Sequence, residues 1–251
     1  MITEPLYYTK YAAAYIRGIA MRHAKYESGS MPGDTPASEQ PPLVLPSRLV
    51  EKDLHTLPAE DLEEIIAAGK AAGLKLHRFK STYNELPRVR RVMGFLRSIE
   101  MESLLDVGSG RGVFLWPCLQ AFPHLHVLSI DLLPHRIGLL NTVREGGIAN
   151  LMAIVGDIRM PPVGLKTYDV VTILEVLEHI PDVLTAIQAA VRIAKKYIVV
   201  TVPSKPDNNP EHIHLLTKGA LADIFNQAGC ARLHFDAVPG HLVLSAALER
   251  F

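Results

Sequence analysis

The chain has 251 residues, with 26 Lys+Arg against 26 Asp+Glu and a formal net charge of zero. That balance excludes a globally basic nucleic-acid binder and an acidic disordered chain, but not a local basic patch. Hydrophobic residues make up 48%, which is ordinary for a soluble globular domain, and no apolar run approaches the roughly 18 residues of a membrane span. Near the N-terminus the longest apolar stretch, Ala12 to Ile16, is bracketed by Lys10 and Arg17 and lacks the cationic lead of a secretory signal. The two cysteines, Cys118 and Cys230, are too far apart for a CxxC site. Reduced, buried thiols in a cytoplasmic protein are the expectation.

In chain order, residues 1–27 read as a helical segment holding five of the eight tyrosines. Tyr8, Tyr11 and Tyr15 recur at the spacing of one helix face, a packing face for the main domain or for a homodimer contact, or else a face on which a substrate stacks. Residues 28–47 carry Pro32, Pro36, Pro41, Pro42 and Pro46 with Gly29 and Gly33, the composition of a linker. A helical, partly basic connector follows over 48–84, with a short helix predicted from Pro58 to Gly69. Lys70 to Arg97 holds eight Lys/Arg against Glu85 alone. Such a run is a solvated helix face or a polyanion-binding surface, and Lys80, Arg88, Arg90 and Arg91 are its candidate nucleic-acid contacts.

From residue 85 to 251 the pattern is that of a single α/β domain. Ser103–Val107, His126–Ile130, Leu151–Val155, Asp169–Leu174 and Tyr197–Val202 are short aliphatic runs separated by helical stretches at Val113–Ala121, Pro134–Glu145 and Asp182–Ala194. Near-continuous apolar strands alternating with helices imply a doubly wound, mostly parallel sheet covered on both faces. After a helix at Lys218–Ala228, two runs at Ala231–Asp236 and His241–Ala247 are separated by four residues. So short a link permits a hairpin and not a crossover, which places an antiparallel strand near the C-terminal edge of a seven-stranded sheet.

Leu105-Asp106-Val107-Gly108-Ser109-Gly110-Arg111-Gly112 follows the first strand and opens a helix. Ligands of such sheets bind beyond the carboxyl ends of the strands, where glycines admit close approach. The second strand ends at Asp131, placed to accept from ribose hydroxyls, and the third at Gly156-Asp157-Ile158. Asp157 there suits an adenine amino group and Ile158 the ring; each acid alone reads equally as a loop or helix-cap residue, but three acids at three successive strand ends do not.

On LLDVGSGRG, Asp131, Gly156-Asp157, YDVVTILEVLEHI and YIVVTVP, the chain resembles the Rossmann-like (class I) S-adenosylmethionine-dependent methyltransferases over about Leu86 to Phe251. The resemblance implies a methyltransferase that binds S-adenosylmethionine near Asp106, Gly108, Gly110, Asp131, Asp157 and Ile158.

Glu175-Val176-Leu177-Glu178-His179 follows the fourth strand, and Glu211-His212-Ile213-His214 follows the fifth. If the first segment turns helically, Glu175, Glu178 and His179 share one face at the carboxyl edge of the sheet. With His212 or His214 they form a candidate divalent-cation site of carboxylates and imidazoles, fit for Mn²⁺, Fe²⁺ or Zn²⁺ and, through water, Mg²⁺. Two other readings stand beside it: a metal-free site with His179 as general base, and a helix start whose glutamates bind backbone amides. The pattern is similar to the metal site of small-RNA 3′-terminal 2′-O-methyltransferases. On that likeness Glu175, Glu178, His179 and His212 are the metal ligands and catalytic residues, His212 standing five residues before Thr217. The aromatic residues of that family's motif are absent, since Ile213 to Leu216 offers aliphatic residues instead. Metal-assisted 2′-O-methylation of RNA is thus one expected function. A small-molecule methyltransferase acting on a quinone-like phenol or a metabolite, without metal, is the alternative. A non-catalytic cofactor-binding module is disfavoured by the intact glycine loop and acids.

Overall fold

The computed structural model describes residues 8–27, 43–80, 86–230 and 232–248. Tyr7, residues 28–42 of the expected linker and Glu85 lie outside them. The chain forms two compact units, one of Met1–Ser81 with Gly138–Met152 and one of Thr82–Ile137 with Ala153–Phe251. Grouping 138–152 with the N-terminal helices is an interleaving that a division into successive segments does not contain.

In the first unit, α1 (Thr9–Glu27) is the tyrosine-bearing helix. Ala12, Ala13, Ala14 and Ile16 are fully buried, and Tyr8 and Tyr11 nearly so. Tyr15 lies against Phe79, ring centroids 5.6 Å apart, so the aromatic face packs within its own unit. The helix α2 (Ser47–Glu51) is joined to α3 (Ala59–Ala71) by Arg48, which pairs with Asp61 at 2.6 Å and also with Glu64. Residues 138–152 approach α1 closely because small residues meet there. A Cβ on Gly146 would stand 1.7 Å from the Ala14 carbonyl oxygen, so no other residue fits. Arg22 closes the same contact with two hydrogen bonds to Glu145, at 2.6 and 2.9 Å.

The second unit holds α4 (Pro87–Arg97), α5 (Leu115–Ala121), α7 (Val183–Ile193) and α8 (Lys218–Gln227). Pro87 opens α4 where a missing N–H costs nothing. Asp182 and Thr217 cap α7 and α8 by accepting from the amides of Thr185 and Ala220. The helix α6 (Pro134–Glu145) runs from one unit into the other.

Seven strands make one sheet in the order β3-β2-β1-β4-β5-β7-β6. They are β1 (Ser103–Val107), β2 (His126–Asp131), β3 (Leu151–Val155), β4 (Tyr168–Leu174), β5 (Ala194–Pro203), β6 (Arg232–Val238) and β7 (His241–Ala247). β1 pairs in parallel with β2 and β4, and β4 with β5, while β7 is antiparallel to both β5 and β6. This is the α/β architecture expected from the alternation of apolar runs and from the short final link. The hairpin turn is tighter than the runs implied: β6 continues through Val238, leaving Pro239 and Gly240 alone to turn.

The core of this unit stacks Leu105, Ile130, Ile173, Ile198 and Val200 of the central strands against Ile187, Leu221 and Phe225 of the helices, all essentially solvent-free. Such burial on both sheet faces is why these strands read as unbroken aliphatic runs. Cys118 and Cys230 are buried free thiols, and burial raises the pKa of each. No described helix is long and apolar enough to cross a membrane.

Candidate active site

The carboxyl ends of β1, β2, β4 and β5 open into a cavity of about 610 Å³, lined from Arg88 through the glycine loop to Glu211. Of the six expected cofactor residues, Asp106, Gly108, Gly110, Asp131, Asp157 and Ile158 all line it. Gly108 adopts φ +70°, and a Cβ there would lie 2.6 Å from Val176 Cγ2. The loop therefore needs glycine at this position for both backbone and space.

Asp106 is almost wholly buried. It accepts from the Ser109 hydroxyl and, at 2.7 Å, from Thr172 Oγ1. Burial pushes its pKa up to about 6, opposed by these two hydrogen bonds. Its bonds hold the loop, since Ser109 Oγ also lies 2.7 Å from Ser129 Oγ on β2. Asp131 accepts from the Leu133 amide at 2.9 Å, and Arg136 stands 3.3 Å away. Asp157 is gripped by Arg159 at 2.6 Å, whose hydrogen bond keeps the carboxyl below its ordinary pKa. Asp131 and Asp157 are thus held as acceptors at the two strand ends, while Ile158 presents a buried apolar wall.

The segment after β4 does not turn as one helical face. Glu175 sits at φ +58° and Val176 at φ −133°, ψ −39°, outside helical geometry; only Leu177–His179 coils, as a single 3₁₀ turn. Glu175 therefore diverges from Glu178 and His179. Its carboxylate accepts from Thr201 Oγ1 at 2.8 Å, pairs with His241 Nε2 at 3.0 Å and has Arg88 Nε at 3.8 Å.

Glu178, His179 and His212 do converge: among the described residues their ligand atoms lie within 4.8 Å of one another. The Glu178 carbonyl oxygen draws them together by accepting from the amides of Ile213 and His214 at 2.9 and 3.3 Å. That pins the loop after β5 onto the 3₁₀ turn, and the His179 and His212 rings meet edge to face at 4.8 Å. His214 turns away, with Nε2 3.0 Å from the Ile180 carbonyl.

Each converging imidazole is oriented through Nδ1. That of His179 meets the Glu211 carbonyl at 2.9 Å and that of His212 meets Asp207 at 2.9 Å. With Nδ1 donating in each contact, Nε2 would be left as an acceptor, the arrangement by which a carbonyl or carboxylate prepares a metal-binding histidine. Glu178 is 1% exposed and neither carboxylate oxygen has a partner. Desolvation, reinforced by the charges of Glu175 and Asp207, pushes its pKa up to about 8. An unpartnered buried carboxyl between two free imidazole nitrogens is a donor set suited to a first-row divalent cation.

Of the basic residues, Arg88 lines the cavity, Arg90 is exposed and Arg91 pairs with Asp236. Lys80 is exposed and belongs to the first unit. Sequence reasoning missed His241, Thr201 and Asp207. Only the β5–β7 register, which sets His241 opposite Pro203, brings it to Glu175.

Comparison with known proteins agrees with this architecture. Residues 79–234, more than half the chain, match the family described as a methyltransferase domain, and the chain belongs to that family. It is an S-adenosylmethionine-dependent methyltransferase. No curated protein matches the sequence. Solved structures share the fold at low identity. One is a SAM-dependent methyltransferase from Aquifex aeolicus, at TM-score 0.54 and 19% identity, covering 66% of this chain and 92% of that one. A second, described as an O-methyltransferase, from Nostoc punctiforme, gives 0.55 and 14%, covering 94% and 72%. A third is a magnesium protoporphyrin IX methyltransferase from Synechocystis with bound SAH, at 0.51 and 15%, covering 80% and 92%.

Proposed function

We propose that the enzyme methylates a hydroxyl group with the help of a divalent cation, and that the acceptor is the 2′-hydroxyl of a ribose at the 3′ end of RNA. The convergence of Glu178, His179 and His212, of which His179 lines the cavity, carries this reading.

S-adenosylmethionine, when bound, supplies a methyl group already activated on a sulfonium. Asp131 would accept from the ribose hydroxyls of the cofactor, Asp157 and Ile158 would receive its adenine, and the Asp106-braced glycine loop would hold its amino-acid end. Glu175, fastened by Thr201 and His241, forms a fixed wall rather than a mobile base. The task left to the protein is to align an acceptor oxygen in line with the methyl carbon. A ribose hydroxyl is a poor nucleophile without assistance. A divalent cation, when held by Glu178, His179 and His212, supplies that assistance by lowering the hydroxyl's pKa. Transfer would form one C–O bond, break the methyl C–S bond to leave S-adenosylhomocysteine, and pass the hydroxyl proton to water. RNA is favoured as acceptor by α4, which carries four arginines and no acid and puts Arg88 into the cavity wall.

The test is transfer of labelled methyl to short RNAs with a free or a blocked 3′-terminal 2′-hydroxyl, before and after EDTA. Label on the free end alone, abolished by EDTA and restored by Mn²⁺, is expected. Full activity after chelation would refute the cation, and transfer to a phenol but never to RNA would refute the acceptor.

A further inference from the structure

A second groove lies outside the methyl-transfer cavity, and nothing in the reaction above uses it. It has a volume of about 520 Å³ and runs between α4 and the β7–β6 edge of the sheet. Register defines its floor. Tyr197 of β5, Ala247 of β7 and Arg232 of β6 stand in one row, and Val199, Ser245 and His234 in the next. The small residues Ala247 and Ser245 therefore lie low between a tyrosine and a cationic rim. Two strand spacings separate that tyrosine from the rim, about 9–10 Å.

The helix supplies the opposite wall. Phe95 meets Tyr197 edge to face at 5.4 Å, and a Cβ on Gly94 would touch nothing within 4 Å. Asp236 shares a strand face with Arg232 and His234 and pairs with Arg91, so that face is turned towards α4. Arg232 and His234 are exposed. Arg88 and Arg91 are one helical turn apart, hence on one side of α4. The first lines the reaction cavity and the second lines the groove. The groove thus begins next to the site of chemistry.

We propose that this groove holds single-stranded RNA upstream of the ribose being methylated, with phosphates on Arg91 and Arg232 and a base against Phe95 and Tyr197. An aromatic wall facing a cationic rim is how proteins hold single strands independently of sequence. Charge complementarity selects the occupant: among the described residues the lining holds Arg91, Arg232 and His234 and no acid, and Asp236 pairs with Arg91 beside it. The inference rests on the reading of RNA as acceptor, and its test separates binding from transfer.

Fluorescence anisotropy with a short 5′-labelled RNA is measured against salt for the full chain, Arg232→Glu, Gly94→Glu and Gly94→Lys. Position 94 is open, so both of its substitutions fold, and they differ only in charge. Arg232→Glu should weaken binding about tenfold and flatten the slope of log affinity against log salt by about 0.7, one single-strand phosphate contact. Gly94→Glu should weaken binding and Gly94→Lys strengthen it. Methylation of a dinucleotide, too short to reach the groove, should be unchanged in all three.

RNA binding untouched by Arg232→Glu and Gly94→Glu would overturn the groove while leaving the acceptor reading intact. Binding weakened by both variants, with no methyl transfer to any RNA, would uphold the groove and refute the acceptor. No RNA retention even at low salt, or equal retention of polyglutamate, would overturn the groove as an RNA site.

Discussion

Replacing Glu178 by Gln separates the cation site from a merely structural carboxyl. Glu178 is essentially inaccessible, has no hydrogen-bond partner for either carboxylate oxygen, and has its pKa pushed from 4.5 up to about 8. In the unfolded chain the same carboxyl ionises near its ordinary value. Below that value both states are protonated and nothing is lost. As pH rises from about 4.5 to about 8 the unfolded state releases its proton first, so metal-free protein loses stability throughout that window. The full loss is about 5 kcal/mol, from roughly 3.5 units at 1.36 kcal/mol each. Glutamine keeps the shape without the charge and removes this slope. In chelated buffer the two proteins should melt together near pH 5, and Glu178→Gln should melt roughly 10 °C or more above wild type near pH 9. Adding Mn²⁺ at pH 8 should raise the wild-type midpoint and leave the variant unmoved, because the cation binds only the folded carboxylate site. A stability difference independent of pH between 5 and 9, or an equal response to Mn²⁺, would refute the reasoning.

Asp207→Asn should cost about 10- to 100-fold in cation affinity by loosening the His212 ring, with little change in melting temperature, as isothermal titration with Mn²⁺ would report. Gly108→Ala should abolish measurable binding of S-adenosylhomocysteine and destabilise the fold by about 2–4 kcal/mol, since it combines a left-handed backbone with a clash against Val176; denaturant melts and calorimetry check both. Asp131→Ala should weaken S-adenosylhomocysteine by about 10- to 100-fold, the worth of charge-assisted bonds to a ribose, with the fold retained by circular dichroism. Phe225→Ala, in the solvent-free core beneath the sheet, should cost about 3–5 kcal/mol in urea without altering the cation-dependence of activity.

The local signals and the distant ones separate cleanly in this molecule. Strands such as Ser103–Val107, Leu151–Val155 and His241–Ala247 have the bounds that their aliphatic runs suggest, and in the first of them burial of both faces from Leu104 to Val107 leaves no polar alternation to blur the ends. The loop after β1 and the acids at the ends of β2 and β3 were legible for a related reason. A parallel sheet delivers successive strand ends to one edge, so chain order already implies spatial neighbours. The four-residue link between the last two aliphatic runs likewise admitted an antiparallel hairpin alone.

What tertiary structure decided is which side chains meet once the loops are folded. Spacing put Glu175 on one face with Glu178 and His179, but a left-handed residue at 175 breaks that face and sends its carboxylate to Thr201, His241 and Arg88. The choice of His212 over His214 depends on two amides that the Glu178 carbonyl captures across 35 residues or more, and no local pattern encodes such a bond. The neutral composition has the same lesson in charge. Zero net charge excluded a basic protein, whereas only the pairing of strands across the sheet placed Arg232 beside the arginines of α4. Periodicity along the chain determines elements and their edge, because it follows from backbone geometry. Register, turn conformation and loop capture determine the site, because they depend on contacts between residues far apart in sequence.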